Sequence, residues 1–178
     1  MSVRQLKIDG ITVPVWGHTQ LQQSYDPIQA VDQRRTANGT MVQRILWDSK
    51  LRTRVTGGGP APSGLKDIDT SASFALWCVA PLARNGTTTI TLPDNRRSDS
   101  GAEPLAFADV NGVMVPTTIT NLADILADVT DDATIQAVSG ASQYQIRWFP
   151  ILTVFARPIR ETLNRGRGFN WVLEAEEA

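Results

Sequence analysis

The chain has 178 residues, 42% hydrophobic and 20% charged, with 17 basic against 18 acidic side chains for a formal net charge of -1. That length can bury one good core, and the near-neutral balance argues against a dedicated nucleic-acid binder, which carries a clear basic excess. A single cysteine, Cys78, excludes an intrachain disulfide framework, while no stretch reaches the ~18 apolar residues of a membrane span and no signal-peptide core opens the chain.

Leu6 to Trp16 reads as a hairpin about Asp9-Gly10, a pair that tolerates positive φ, with Pro14 marking an edge position because it has no N–H to give a ladder. Over residues 17–37 the periodicity is lost. Gln20, Gln22, Gln23, Tyr25, Asp26-Pro27 and the charged run Asp32 to Arg35 predict an irregular loop or arm. Such length suits an oligomer contact, with a plain surface excursion as the equal alternative.

Met41 to Thr56 is the longest period-two run in the chain. Met41, Ile45, Trp47, Leu51 and Val55 fall on one face, with Gln43, Ser49 and Thr53 between them. Arg44, Asp48, Lys50, Arg52 and Arg54 dominate the other, broken by Val42 and Leu46. The pattern predicts a strand that buries its odd face. Uninterrupted, it would reach about 50 Å, beyond the ordinary strand of about 17 to 20 Å, so it bends across sheets or projects beyond the domain. Residues 57–66, opening Gly-Gly-Gly-Pro-Ala-Pro-Ser-Gly, predict a flexible strand-breaking loop. Gly59 and Gly64 have the spacing of a phosphate loop, but Leu65-Lys66-Asp67 stands where Lys and Ser or Thr belong, so the loop is better read as structural.

Phe74 to Ala80 predicts a buried strand, in which Cys78 is a small core residue. A turn at Asn85-Gly86 and a threonine-rich strand over 87–92 pair with it. Residues 93–104 form a polar, solvated loop carrying Arg96, Arg97 and Asp99, and Asn111-Gly112 gives the strongest hairpin signal, between 105–110 and 113–115. The sequons at Asn38 and Asn85 read as turns. One helix is expected, Asn121 to Val129, capped by Thr120 or Asn121 and presenting Leu122, Ile125, Leu126 and Val129 on one face. A hairpin then joins 134–138 to 143–149, Pro150 breaks the strand, Pro158 to Asn164 makes a short helix, and Phe169 to Ala175 makes a last strand. The total is nine to eleven strands in a single mainly β domain over 1–178, an antiparallel β-sandwich or barrel with one short packed α-helix and an extended arm or long strand.

No catalytic arrangement emerges. His18 is the only histidine, so Ser/His and Cys/His pairs are absent, as are zinc spacing and a dinucleotide fingerprint. Asp94 and Asp99 as a glycosidase pair, or Asp124, Asp128, Asp131 and Asp132 as a metal site, are less economical than solvated carboxylates. No catalytic, cofactor or metal residue is expected. What stands out is arginine, since only Lys7, Lys50 and Lys66 of the basic residues are lysines. Genomic base composition accounts for such a bias, and so does the preference of arginine for interfaces. On the interface reading, Arg44, Lys50, Arg52 and Arg54, with Tyr25, Arg34 and Arg35 of the irregular segment, form an oligomer contact. The Asp124 to Asp132 group or Glu174, Glu176 and Glu177 would supply the counter-charge.

Asp9-Gly-Ile-Thr-Val-Pro-Val15, the Gln-rich segment, Arg35-Thr-Ala-Asn-Gly-Thr40 leading into Trp47-Asp-Ser-Lys-Leu51, the Gly-rich loop and a closing Trp171-Val-Leu-Glu-Ala175 together resemble small tail proteins of long-tailed bacteriophages. Within these the arrangement is most similar to the distal-tail or minor-tail type, over most of the chain. The resemblance implies a β-sandwich with a packed helix, self-association into a ring, most simply a hexamer, and contacts with the tail tube above and the hub or fibres below. It places the protein in the virion tail, made in the host bacterial cytoplasm, with no membrane or specific nucleic-acid partner. A tail-tube, tail-completion or connector subunit is the nearest alternative, and a carbohydrate-binding β-sandwich the alternative from another class.

Overall fold

The computed structural model describes residues 4–61, 63–164 and 168–178, and within them every side chain but those of Trp16, His18, Thr19, Trp47, Asp48 and Ser49. The fold is mainly β, with antiparallel pairing and one short α-helix. In chain order the strands are β1 (Lys7–Ile8), β2 (Ile11–Thr12), β3 (Thr19–Arg35), β4 (Met41–Gly59), β5 (Phe74–Trp77), β6 (Leu82–Gly86) and β7 (Thr89–Thr91). Then come β8 (Leu105–Val110), β9 (Val113–Thr117), α1 (Leu122–Leu126), β10 (Asp132–Thr134), β11 (Ala141–Trp148), β12 (Ile151–Ala156), β13 (Arg160–Asn164) and β14 (Gly168–Glu177). The chain divides into two compact units, Met1–Thr12 with Ala75–Leu152, and Val13–Phe74 with Thr153–Ala178.

In the first unit a four-stranded sheet runs β6-β11-β8-β9. Alternation sends Ala106, Ala108, Tyr144, Ile146 and Trp148 to one face, where they join Ile90, Leu92, Ile119, Ile125, Ala133 and Ile135 in a buried cluster. Both Asx-Gly hairpins form as the turn chemistry dictates. Asp9 and Gly10 have φ of 51° and 74°, Asn111 and Gly112 of 55° and 81°, the doubly positive values that match strand twist.

Several expectations fail here. Asn85-Gly86 is not a turn but the end of β6, held by β11. The Trp77 strand pairs with β1 and the threonine-rich β7 with β10, so the two do not pair with each other. Residues 134–138 likewise do not pair with 143–149, because β10 takes β7 and β11 takes β6 and β8. The helix is five residues, not nine: Asp128 turns to φ 55°, leaving Val129 73% exposed instead of on the buried face. Asn121 makes no side-chain cap. Its amide instead donates to the Asp132 carbonyl at 2.7 Å and its oxygen accepts the Thr134 N–H at 2.9 Å, tying the helix start to β10.

The polar segment 93–104 is a loop with Asp94, Asn95, Ser98 and Ser100 exposed, but its two arginines are buried and pin it. Arg96 and Arg97 are 5% and 1% exposed. Arg96 donates to the carbonyls of Pro93, Ile125 and Thr130 and to the carboxylates of Asp128 and Asp131, closing the end of α1. Arg97 grips Asp99 bidentately at 2.8 and 2.6 Å and donates to the carbonyls of Gln5 and Cys78 at 3.0 and 2.8 Å. A buried guanidinium is tolerable only when heavily paired, and of these two only Arg96 leaves a nitrogen, Nε, buried without a partner.

In the second unit β4 is central. β3 pairs along one edge over its whole length, and β14 along the other only from Arg52 to Gly59. The far edge of β14 is shared, its start by β13 and its end by β12. Residues 17–37 are therefore not an irregular loop but a 3₁₀ turn over Val15–His18 followed by the 17-residue β3. From Leu21 to Ala30 it alternates between half-buried and exposed residues, the half-buried face switching by one at Asp26-Pro27, and as an edge strand it tolerates Pro27 and two bulged registers near Ala30. The Gly-rich loop begins later than expected, since Gly57, Gly58 and Gly59 belong to β4, opposite Trp171, Asn170 and Phe169. Gly57 has to lack a side chain: a Cβ there would lie 2.6 Å from the buried Trp171 indole. Pro158 to Asn164 is no helix, because Arg160–Asn164 pairs with β14 as β13.

Candidate functional site

Pairing within the second unit fixes where β4 stops being a sheet strand. Beyond Arg52 it loses β14, and Met41 to Leu51 pairs with β3 alone. At about 3.3 Å per residue this two-stranded ribbon is on the order of 30 Å long. Its turn is closed by Thr36 and Thr40 about Gly39 at φ 84°, and Arg35 Nη1 donates to the Gly39 carbonyl at 3.2 Å.

Burial along β4 changes at the same point. On the paired part the odd face is buried: Val55 and Thr53 are both 0% exposed. Thr53 is no neutral spacer, because its hydroxyl donates to the Ser24 carbonyl at 3.0 Å and accepts from Gln23 Nε2 at 3.1 Å. On the ribbon the predicted burial fails. Met41 and Ile45 on the odd face are 53% and 51% exposed, and Val42 and Leu46 on the even face 51% and 59%. The alternation that signals a buried face needs a covering layer, and among the described residues none covers either face at Met41, Val42, Ile45 and Leu46. The expected burial of Trp47 lies outside the described side chains.

The charged residues expected at an oligomer contact separate into two groups. Arg44, Arg34 and Arg35 lie on the ribbon, where Arg44 faces Asp32 in register and Arg34 Nε meets Asp32 at 2.9 Å. Tyr25, Arg52 and Arg54 lie below it, and Lys50 at the junction, its Nζ on the Ala178 carbonyl. Arg52 and Arg54 find counter-charges on their own β14. Arg52 Nη2 is 2.7 Å from Glu176 and Arg54 Nε 3.9 Å from Glu174, which Arg157 approaches at 3.8 Å. Glu177 accepts the Leu51 N–H at 3.1 Å, ending the β14 ladder where the ribbon begins. Both acidic groups named as counter-charges are drawn on within the chain, Glu174 and Glu176 by Arg54 and Arg52, and Asp128 and Asp131 by Arg96.

These pairs line an open cleft of about 520 Å³, floored by Thr53 and Ala175 and walled by Asp26, Phe155 and Arg157. Half-exposed ion pairs of this kind contribute little each, about 0 to 1 kcal/mol. Phe155, 54% exposed, was not singled out by its sequence context. The period-two match of Arg52 and Arg54 with Glu174 and Glu176 was visible and would have found the pairing. The cleft offers charge and an aromatic edge but no nucleophile beside a base, and no cluster of metal-ligating side chains occurs among the described residues. Among the described residues no helix is long and apolar enough to cross a membrane.

Comparison with protein-family models, with curated proteins and with solved structures finds no match to this chain.

Proposed function

We propose that this protein is a structural subunit of a bacteriophage tail, one copy of a ring at the tail tip that joins the tail tube to the hub or fibres. The observation that carries the reading is the ribbon, with four large aliphatic side chains about half exposed on its two faces. A two-stranded hairpin is marginal alone in water, and aliphatic residues on both of its faces stabilise it only when another surface covers them. Assembly with further copies supplies that surface, and Arg34, Arg35 and Arg44 beside the aliphatics set its orientation. The sequence resemblance to distal-tail proteins gives the assembly its place, with a tube, completion or connector subunit as the nearest variant.

Electron microscopy of the purified protein, and of virions labelled with antibodies against it, tests this. Closed rings and label at the tail tip are the expected result. Isolated particles at every concentration, with no label on tails, would refute it.

A further inference from the structure

The outer face of the four-stranded sheet carries a second arrangement, unrelated to the ribbon. Arg147 on β11 projects to the side opposite Ile146 and Trp148, and its guanidinium lies over the Phe107 ring of β8, with Cζ 4.3 Å from the centroid. Its Nε donates to Gln145 Oε1 at 2.7 Å, and Gln145 Nε2 in turn donates to Asn85 Oδ1 of β6 at 3.0 Å. Three strands thus hold one guanidinium by its inner edge and its flat face, while its two terminal nitrogens make no hydrogen bond or ion pair among the described residues. Side-chain entropy that a free arginine would lose on binding is already lost.

We infer that Arg147 anchors a carboxylate from an acidic segment of a partner protein. A planar fork presented edge-on matches a carboxylate bidentately. The neighbouring groups select the source. Leu105, directly opposite Arg147, is 43% exposed and offers aliphatic contact to a residue flanking a Glu or Asp. A saccharide would need free amides and a bare ring face, but Gln145 and Asn85 bond each other and Arg147 covers Phe107. Nucleic acid would need more positive charge than one arginine with Asp109 on the same face.

The test is a titration of ¹⁵N-labelled protein with N-acetyl-Leu-Glu-Leu-amide, its Gln counterpart and glucuronate, followed by NMR. The Glu peptide is expected to shift the Arg147 Nε–H and Gln145 side-chain signals and the β8 and β11 amides, at least about tenfold more tightly than the Gln peptide. Arg147→Lys keeps the charge but loses the fork and should abolish the shifts. Gln145→Leu, which removes only the support, should weaken them severalfold and serves if the lysine variant unfolds. Equal response to both peptides, retention in Arg147→Lys, or stronger binding of glucuronate would each overturn the inference.

Discussion

Gly57→Ala separates a flexible glycine from a wedged one by the sign of its effect. In a loop with compatible backbone, the change stabilises by about 0.4 to 1 kcal/mol, because alanine restricts the unfolded chain. In β4 the added Cβ meets Trp171 Cζ2 and Cε2 at 2.6 and 2.7 Å and the Gly17 carbonyl at 2.8 Å. The indole cannot retreat: Trp171 is 2% exposed and its Nε1 donates to that carbonyl at 3.1 Å. Overpacking of this kind costs about 1 to 3 kcal/mol, so a net loss is expected. Trp171→Ala alone should cost about 3 to 5 kcal/mol and removes the ring that Gly57 accommodates. In that background the clash with the indole is gone but the Gly17 carbonyl remains, so Gly57→Ala should still cost something but less than beside the ring, giving a coupling of about 1 kcal/mol in the cycle. Urea unfolding followed by far-ultraviolet circular dichroism measures all four proteins. A stabilised Gly57→Ala, or additive losses, would refute the packing of Trp171 over the glycine strand.

Arg97→Ala leaves the Gln5 and Cys78 carbonyls without that donor and should cost about 3 to 5 kcal/mol by the same unfolding measurement, while Asp99→Asn, at a partly exposed site, should cost less than about 2. The hydrogen bonds from Arg97 hold the Asp99 carboxyl below its ordinary value near 3.8, so its stabilisation is full above that value and lost as pH falls through the lowered one. As pH falls below about 3.8, the melting temperature should therefore drop further for the wild type than for Asp99→Asn. Arg52→Glu should cost less than about 1 kcal/mol and be restored by adding Glu176→Arg, and failure of the swap to restore it would rule out the pair. Thr53→Val leaves the Ser24 carbonyl without the Thr53 hydroxyl and should cost about 1 to 3 kcal/mol in chemical unfolding, where a neutral result would contradict the buried hydrogen bonds.

What the sequence made legible was local chemistry. Asp9-Gly10 and Asn111-Gly112 specify their hairpins because positive φ at two successive residues is a property of those residues, independent of distant contacts. β3 was illegible since its half-buried face mixes Leu21 with the polar Gln23 and shifts by one residue at Asp26-Pro27, so its apolar residues keep no single period. Arg160–Asn164 looked helical behind Pro158, and pairing with β14 overrode that preference. Arg96 and Arg97 read as surface charges because their acceptors, Ile125, Asp131, Gln5 and Cys78, are distant in sequence. Of the candidate site, the long strand and its arginines were apparent. Its division into a covered base and a bare ribbon was not, because that depends on where β14 ends.

Sedimentation velocity of the wild type against Val42→Lys/Leu46→Lys, over a concentration series, tests the central claim most directly. Both positions are more than half exposed, so the double variant should keep its circular dichroism spectrum and melting temperature. The expected result is a discrete larger species for the wild type and a monomer for the variant. A wild type that stays monomeric throughout, or a variant that assembles with the same concentration dependence, would contradict the assignment of the ribbon as the assembly surface.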